Sequence, residues 1–147
     1  MILRVWERKD VDTIAEMEKR CFPQDAWTKG MLSELLDSPY EWAVLAEEGG
    51  QVCGYACLFT LFETADLMNI AVDEPFRGRG IACRLIEALH EKAKELGAER
   101  VMLEVRVSNA PAIALYNKLG FEQVGRRPRY YTNPREDGLI LRKELVK

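Results

Sequence analysis

The chain has 147 residues, with 21 Lys and Arg against 24 Asp and Glu and a single His, for a formal charge of −3. That length suits one domain whose folding removes about 70% of the surface exposed by the unfolded chain, and 48% apolar with 31% charged residues excludes both disorder and dependence on a disulfide or metal staple. The mild acidity excludes a broad electrostatic grip on nucleic acid or anionic lipid and leaves room only for a focused anion site.

Charges at Arg4, Glu7, Arg8 and Lys9 interrupt the first residues, so no apolar signal core forms there, and the longest uncharged run, Gly49 to Phe62, is too short to span a bilayer. Cys21, Cys53, Cys57 and Cys83 show no Cys-x-x-Cys or Cys/His metal spacing and sit among apolar neighbours. They read as four small core residues in a reducing compartment, so the expectation is a soluble cytoplasmic protein that binds no metal and no membrane.

Ile2 to Trp6 predicts a short strand, and Asp10 is placed to cap a helix whose apolar face is Val11, Ile14, Ala15, Met17 and Cys21. Pro23 ends it. Thr28 caps a second helix carrying Met31, Leu32, Leu35 and Leu36, closed by Ser38-Pro39. Three strands follow at Trp42 to Glu47, Gln51 to Leu61 and Asp66 to Val72, the first two joined by a Gly49-Gly50 hairpin turn. Ile81, Ala82, Leu85, Ile86, Leu89, Ala93 and Leu96 then recur at helical spacing up to Gly97. His90 falls beside this stripe and reads as an exposed residue with no nucleophile near it. Val101 to Val107 alternates as a strand, with Met102, Glu104 and Arg106 on the face opposite the valines and Leu103. Asn109 and Pro111 open a shorter helix that stops at Gly120, and Phe121 to Tyr131 with Gly138 to Leu145 predict a closing strand pair. No repeat or linker divides the sequence, so residues 1–147 read as one α/β (α+β) domain with a mixed sheet.

Between the strand ending at Val72 and the longest helix lies Arg77-Gly78-Arg79-Gly80-Ile81-Ala82. A glycine-rich turn at a helix start gathers backbone N–H groups at the positive end of the helix dipole, and small residues admit a phosphate close to the backbone. Arg77 and Arg79 can add charge-assisted hydrogen bonds, so phosphate or pyrophosphate is the natural ligand. The spacing matches neither the Walker loop nor the dinucleotide fingerprint, which disfavours an ATPase or an NAD enzyme.

These residues fit the Q/R-x-x-G-x-G/A signature of the GNAT N-acetyltransferases, and the chain resembles the RimI branch of that family, the ribosomal-protein-alanine N-acetyltransferases. The resemblance rests on Cys21-Phe22-Pro23 with Trp27-Thr28, Asn69-Ile70-Ala71-Val72, Leu103-Glu104-Val105-Arg106 with Ser108-Asn109, Ala112 to Tyr116 with Leu119-Gly120-Phe121, and Tyr130-Tyr131 before Arg135-Glu136-Asp137. It implies a three-layer sandwich with a mixed, mostly antiparallel sheet of about seven strands and about four helices. It also implies acetyl-CoA as co-substrate, bound by the backbone of Ile70, Ala71 and Val72, by the turn Arg77, Gly78, Arg79, Gly80, Ile81 and Ala82, and by Asn109, whose competing role is to cap its helix.

The resemblance further makes Glu104 a general base and Tyr116 the acid that protonates the departing thiolate. From the residue pattern alone, Glu104 fits a solvent-facing glutamate paired with Arg106, and Tyr116 fits a core stripe with Ile113 and Leu119. The loop from Phe22 to Trp27 and the hairpin at Tyr130 and Tyr131 flank the incoming peptide in the family. Here Phe22-Pro23-Gln24-Asp25-Ala26-Trp27 departs from the family's shorter Phe-Pro-Trp or Phe-Pro-x-Pro-Trp pattern, on the peptide-binding wall.

An α-amine titrates near 7.7 to 8.0 and lysine near 10.4, so lysine costs about 3 kcal/mol more to deprotonate and a modest carboxylate base suits the α-amine better. The expected partner is the N-terminus of a protein, most simply the N-terminal alanine of a small-subunit ribosomal protein, and not nucleic acid. The alternatives are acetylation of lysine or a small amine, and an acyl-CoA-binding module without turnover.

Overall fold

The computed structural model of the protein describes residues 1–132 and 134–145. Its strands are β1 (Ile2–Val5), β2 (Glu41–Glu48), β3 (Gln51–Leu61), β4 (Thr64–Val72), β5 (Arg100–Arg106), β6 (Glu122–Tyr131) and β7 (Glu136–Glu144); its helices are α1 (Val11–Cys21), α2 (Lys29–Asp37), α3 (Ile81–Glu95) and α4 (Ala110–Lys118). The local chemistry explains most boundaries. Thr28 Oγ1 accepts from the Met31 amide at 3.2 Å to start α2, and Asn109 Oδ1 accepts from the Ala112 amide at 3.3 Å to start α4. Gly49 and Gly50 both take positive φ, which lets a two-residue turn join β2 to β3.

The strands form one sheet in the order β1-β2-β3-β4-β5-β7-β6. Every neighbouring pair is antiparallel except β4 and β5, which run parallel and are joined through α3. Helices cover both faces. Val44, Ala46, Ala56 and Leu58 face α3, where they meet Ile81, Leu85, Ile86 and Leu89; Ala43, Leu45, Tyr55 and Cys57 face α1 and α2, where they meet Ile14, Met17, Leu32 and Leu35. The alternation within each strand therefore supplies two cores, and the architecture is the expected three-layer sandwich. Gly54 sets how closely the layers approach: a Cβ there would stand 2.9 Å from the Ala71 carbonyl oxygen and 3.3 Å from Leu85. Among the described residues no helix is long and apolar enough to cross a membrane.

Several sequence expectations need correction. His90 is not exposed; only 7% of its surface is accessible, while Leu96, expected on the apolar face, is 48% exposed. His90 continues the series Ile86, Leu89, Ala93 by helical geometry and packs against the Phe121 ring at 5.8 Å, whereas Leu96 lies past the last full turn. Only Cys53 and Cys57 are core residues; Cys21 and Cys83 are partly exposed. Asp10 precedes α1 but does not cap it, because its carboxylate accepts from the Glu7 amide at 2.7 Å and from both terminal nitrogens of Arg4 at 2.8 Å.

Burial, reinforced by Lys143 and Lys94, pulls the His90 imidazole down to about 4. Between that value and the free value near 6.5 the unfolded chain binds a proton that the native chain refuses, so His90 withdraws stability as pH falls through this window and contributes nothing to the pH dependence above it. At pH 5 the loss attributable to His90 is about 2 kcal/mol. Denaturant unfolding of His90→Leu should therefore show a smaller stability drop from pH 7.5 to pH 5 than the parent chain shows. Equal drops in both proteins would remove His90 as the source.

Candidate active site

β4 and β5 pair over only three positions, Thr64 with Arg100, Ala65 with Val101 and Asp66 with Met102. Past Asp66 they part. β5 remains fully paired on its other side with β7, from Arg100–Glu144 to Arg106–Gly138, so the cleft opens along the second half of β4. The Asp73 amide donates to Cys53 O at 2.8 Å, and the alternation of an antiparallel ladder then turns the amides of Ile70 and Val72 away from β3, toward the cleft. An unpaired strand edge of this kind can hold an extended, amide-bearing ligand arm.

At the far end of this edge Gly78 and Gly80 take φ of +80° and +77°, and α3 starts at Ile81 with no side chain capping it. Its first amides are thus free to hold a phosphate. The structure gives both expected phosphate cations partners within the chain. Arg77 Nε donates to Val72 O at 2.9 Å, satisfying a carbonyl on the unpaired edge; Arg79 pairs with Glu48 at 3.3 Å and lies over the Phe76 ring at 5.3 Å. The Arg79–Glu48 pair is half exposed and worth under about 1 kcal/mol, so a phosphate can displace it.

Glu104 lies just past the point where the strands separate. Its Oε1 pairs with Arg127 Nε at 3.1 Å, not with Arg106, and its Oε2 is buried without a hydrogen-bond partner among the described residues. The nearby Glu104 carboxylate and burial together raise the Tyr130 phenol. Asp66, at the last paired position of β4, is raised by burial and by the Glu104 charge. Tyr131 is half-buried and pushed up to about 12 by burial and Glu104. Tyr116 is buried against Phe121, ring centroids 5.6 Å apart, and burial, with Tyr131 nearby, pushes it up to about 12. Tyr131 is therefore in electrostatic reach of both Glu104 and Tyr116. All three phenols stay protonated through the neutral range and are available as donors.

The tyrosines reach this place because β6 carries two extra residues against β7 between Arg127–Gly138 and Tyr131–Glu136. Arg129 takes φ of +54° there, and its amide, off the regular ladder, donates to Asp137 Oδ1 at 2.9 Å. Phe22 and Trp27 lie half-buried beside the α1 and α2 core, on the loop between those helices.

Sequence reasoning missed the residue that ties this loop to the hairpin. Arg106 donates to Asp25 Oδ2 at 2.9 Å on the loop, and to Glu136 Oε1 at 3.1 Å, Thr132 O at 3.0 Å and Pro134 O at 2.9 Å on the hairpin, while its guanidinium lies over the Tyr131 ring at 4.5 Å. Nothing in local spacing announces a contact across 81 residues. Glu18 was missed as well: it is fully buried on α1 and bonded to Asn69 of β4. Its signal was present, because 14, 17, 18 and 21 form one helical face on which a glutamate takes an apolar place.

The model of the acetyltransferase (GNAT) family matches residues 11–121, and the chain belongs to that family: it is an acetyltransferase with acetyl-CoA as its acyl donor. Within the family it is 38% identical over 134 residues to a Bacillus subtilis (strain 168) protein, covering 90% of this chain and 88% of the relative, whose name provisionally makes it a [ribosomal protein bS18]-alanine N-acetyltransferase. It is 36% identical over 142 residues to the N-alpha-acetyltransferase RimI of Mycobacterium tuberculosis (strain ATCC 25618 / H37Rv), covering 93% of this chain and 88% of the relative. The crystal structure of the ribosomal-protein-S18-alanine N-acetyltransferase from Escherichia coli superposes with a TM-score of 0.90 at 28% identity, over 99% of this chain and 94% of that one.

Arg106 provides a direct check on the walls of the cleft. A lysine cannot reproduce the planar fork that meets four acceptors and a ring face, so Arg106→Lys should lose about 1–3 kcal/mol of unfolding free energy. Amide hydrogen exchange should quicken around Thr132 and Glu136 while β2 and β3 stay protected. Unaltered exchange at the hairpin would show that Arg106 does not hold it.

Proposed function

We propose that this acetyltransferase acts on the N-terminal α-amine of a protein, with the N-terminal alanine of a small-subunit ribosomal protein as its substrate in the cytoplasm, and that residues 1–147 work as one catalytic unit. The observation that carries the reading is the Glu104 carboxylate at the strand fork, with one oxygen held by Arg127 and the other buried and unpartnered, beside Tyr130, Tyr131 and Tyr116. The names of the relatives support the choice of substrate.

In this scheme Glu104 Oε2 takes the proton of the incoming amine, directly or through a water, while Arg127 keeps the carboxylate oriented. Tyr130, Tyr131, Phe22 and Trp27 wall the approach of the peptide. The amides of Ile70 and Val72 hold the acyl-pantetheine arm along β4, with Ala71 anchoring the strand in the opposite core, and the amides from Gly78 to Ala82 hold the pyrophosphate, helped by Arg77 and Arg79. Asn109 keeps α4 in place as its cap, and so sets the position of Tyr116. Acetyl-CoA supplies the activated acyl group and the thiolate that leaves. Tyr116 returns a proton to that thiolate; its buried phenol holds the proton firmly, so hydrogen-bond contact and not a favourable pKa gap governs the transfer. Burial raises the thiols of Cys21, Cys53 and Cys57, which argues for direct attack over a cysteine acyl-enzyme.

Glu104→Gln should lower kcat by about 100-fold or more, with the acetyl-CoA dissociation constant changed by less than about twofold. Tyr116→Phe should behave alike, since the ring packing against Phe121 survives. Near parental kcat at saturating peptide would remove either residue from the mechanism. Mass spectrometry of an Ala-initiated peptide that also contains an internal lysine should place the added acetyl on the α-amine. Modification of the lysine alone would overturn the substrate assignment.

A further inference from the structure

The open edge of β4 is governed from the other side of the sheet by a buried acid. Glu18, on α1, has no accessible surface. One of its oxygens accepts from Asn69 Nδ2, and Asn69 Oδ1 in turn accepts from the Ile70 amide at 3.2 Å. Chemical continuity thus runs from α1, through one carboxamide, to a backbone N–H that faces the cleft.

The place where this chain of contacts meets β4 is irregular. Cys57 pairs with Asn69 and Leu58 with Leu67, so Met68 is an extra residue and Asn69 is the first past the bulge. A bulge interrupts the ladder and bends the strand, leaving its direction to other contacts. Tyr55 and Cys57 complete the surroundings, and neither Glu18 Oε2 nor the Tyr55 hydroxyl has a hydrogen-bond partner in good geometry among the described residues. Packing does not account for a carboxyl in this place, because a methionine would fill the volume without an unpaired polar atom. What the carboxyl adds is direction.

We propose that Glu18 is a positioning residue for the acyl donor: by gripping the Asn69 carboxamide it fixes β4 beyond the bulge and aims the Ile70 amide at the thioester carbonyl. The proposal rests on the acyl-transfer reading given above. At 3.2 Å the Asn69–Ile70 contact is at the long end for an N–H donor, so this N–H can be shared with a carbonyl arriving along the edge. With Glu18 in place the carboxamide holds still while that exchange happens. Without it the carboxamide is free to turn and the Ile70 amide loses its bearing.

The test compares two ligands that differ at one group, acetyl-CoA and its thioether analogue S-ethyl-CoA, which lacks the carbonyl. Glu18→Met keeps the buried volume and removes the acceptor. In this variant the ratio of S-ethyl-CoA to acetyl-CoA dissociation constants should fall about tenfold, the loss of one hydrogen bond, with S-ethyl-CoA affinity close to parental and kcat reduced. Asn69→Ala should shift the same ratio the same way, which keeps the test open should Glu18→Met fold poorly. Glu18→Gln retains an acceptor oxygen and should restore most of the ratio. Equal weakening of both ligands, or an unchanged ratio in both variants, would reduce Glu18 to a packing residue and overturn the proposal while leaving the acyl-transfer reading intact. A parental chain that binds neither ligand would overturn both.

Discussion

The site depends on a single break in the sheet. β4 and β5 are the one parallel pair among the described strands, and they stay bonded for three positions only. Had they remained paired, the amides of Ile70 and Val72 would be spent on β5, and Glu104 would lie within a continuous sheet. Their divergence leaves these donors without a strand partner, Ile70 keeping only its long contact to Asn69 Oδ1, and backbone donors so placed in a half-buried cleft favour a ligand that brings acceptors. β7 makes the divergence affordable by bonding β5 along its full length, and the Met68 bulge bends β4 away at the same level. Binding edge and fork therefore have one cause.

Around that fork, charge is used locally. The chain carries a small net negative charge, and three arginines at the cleft are held by carboxylates: Arg127 by Glu104, Arg106 by Asp25 and Glu136, Arg126 by Asp137. Each pair joins segments that would otherwise be independent loops or hairpin strands. The Asp25 contact joins the loop after Pro23 to the hairpin, with Arg106 holding the carboxylates of both. The mouth of the cleft is thereby tied to Arg106, two positions from Glu104.

Much of the fold was legible in the sequence because it is written in local chemistry. The caps at Thr28 and Asn109, the Gly49-Gly50 turn and the alternation of β5 each involve neighbours a few residues apart, and each appears where spacing put it. The misreadings share an origin. His90 and Glu18 are polar residues on apolar helical faces, where position and not residue type decides burial. Arg4 took Asp10 from its helix, Arg127 took Glu104 from Arg106, and Val72 took Arg77 from the turn. In each case a partner outside the expected local contact outcompeted it.

By itself the sequence determined the order of elements, the apolar patterning of an α/β domain with a mixed sheet, and the glycine turn at the start of α3, since backbone sterics and hydrophobic periodicity act over a few residues. Only the tertiary structure decided which strand edge stays open, which oxygen of Glu104 is left without a partner, and that Glu18 reaches the back of β4. Those outcomes depend on which groups meet once 147 residues are folded around two cores. A buried polar group takes whatever partner the packed chain brings within hydrogen-bond distance, and sequence spacing does not encode that distance.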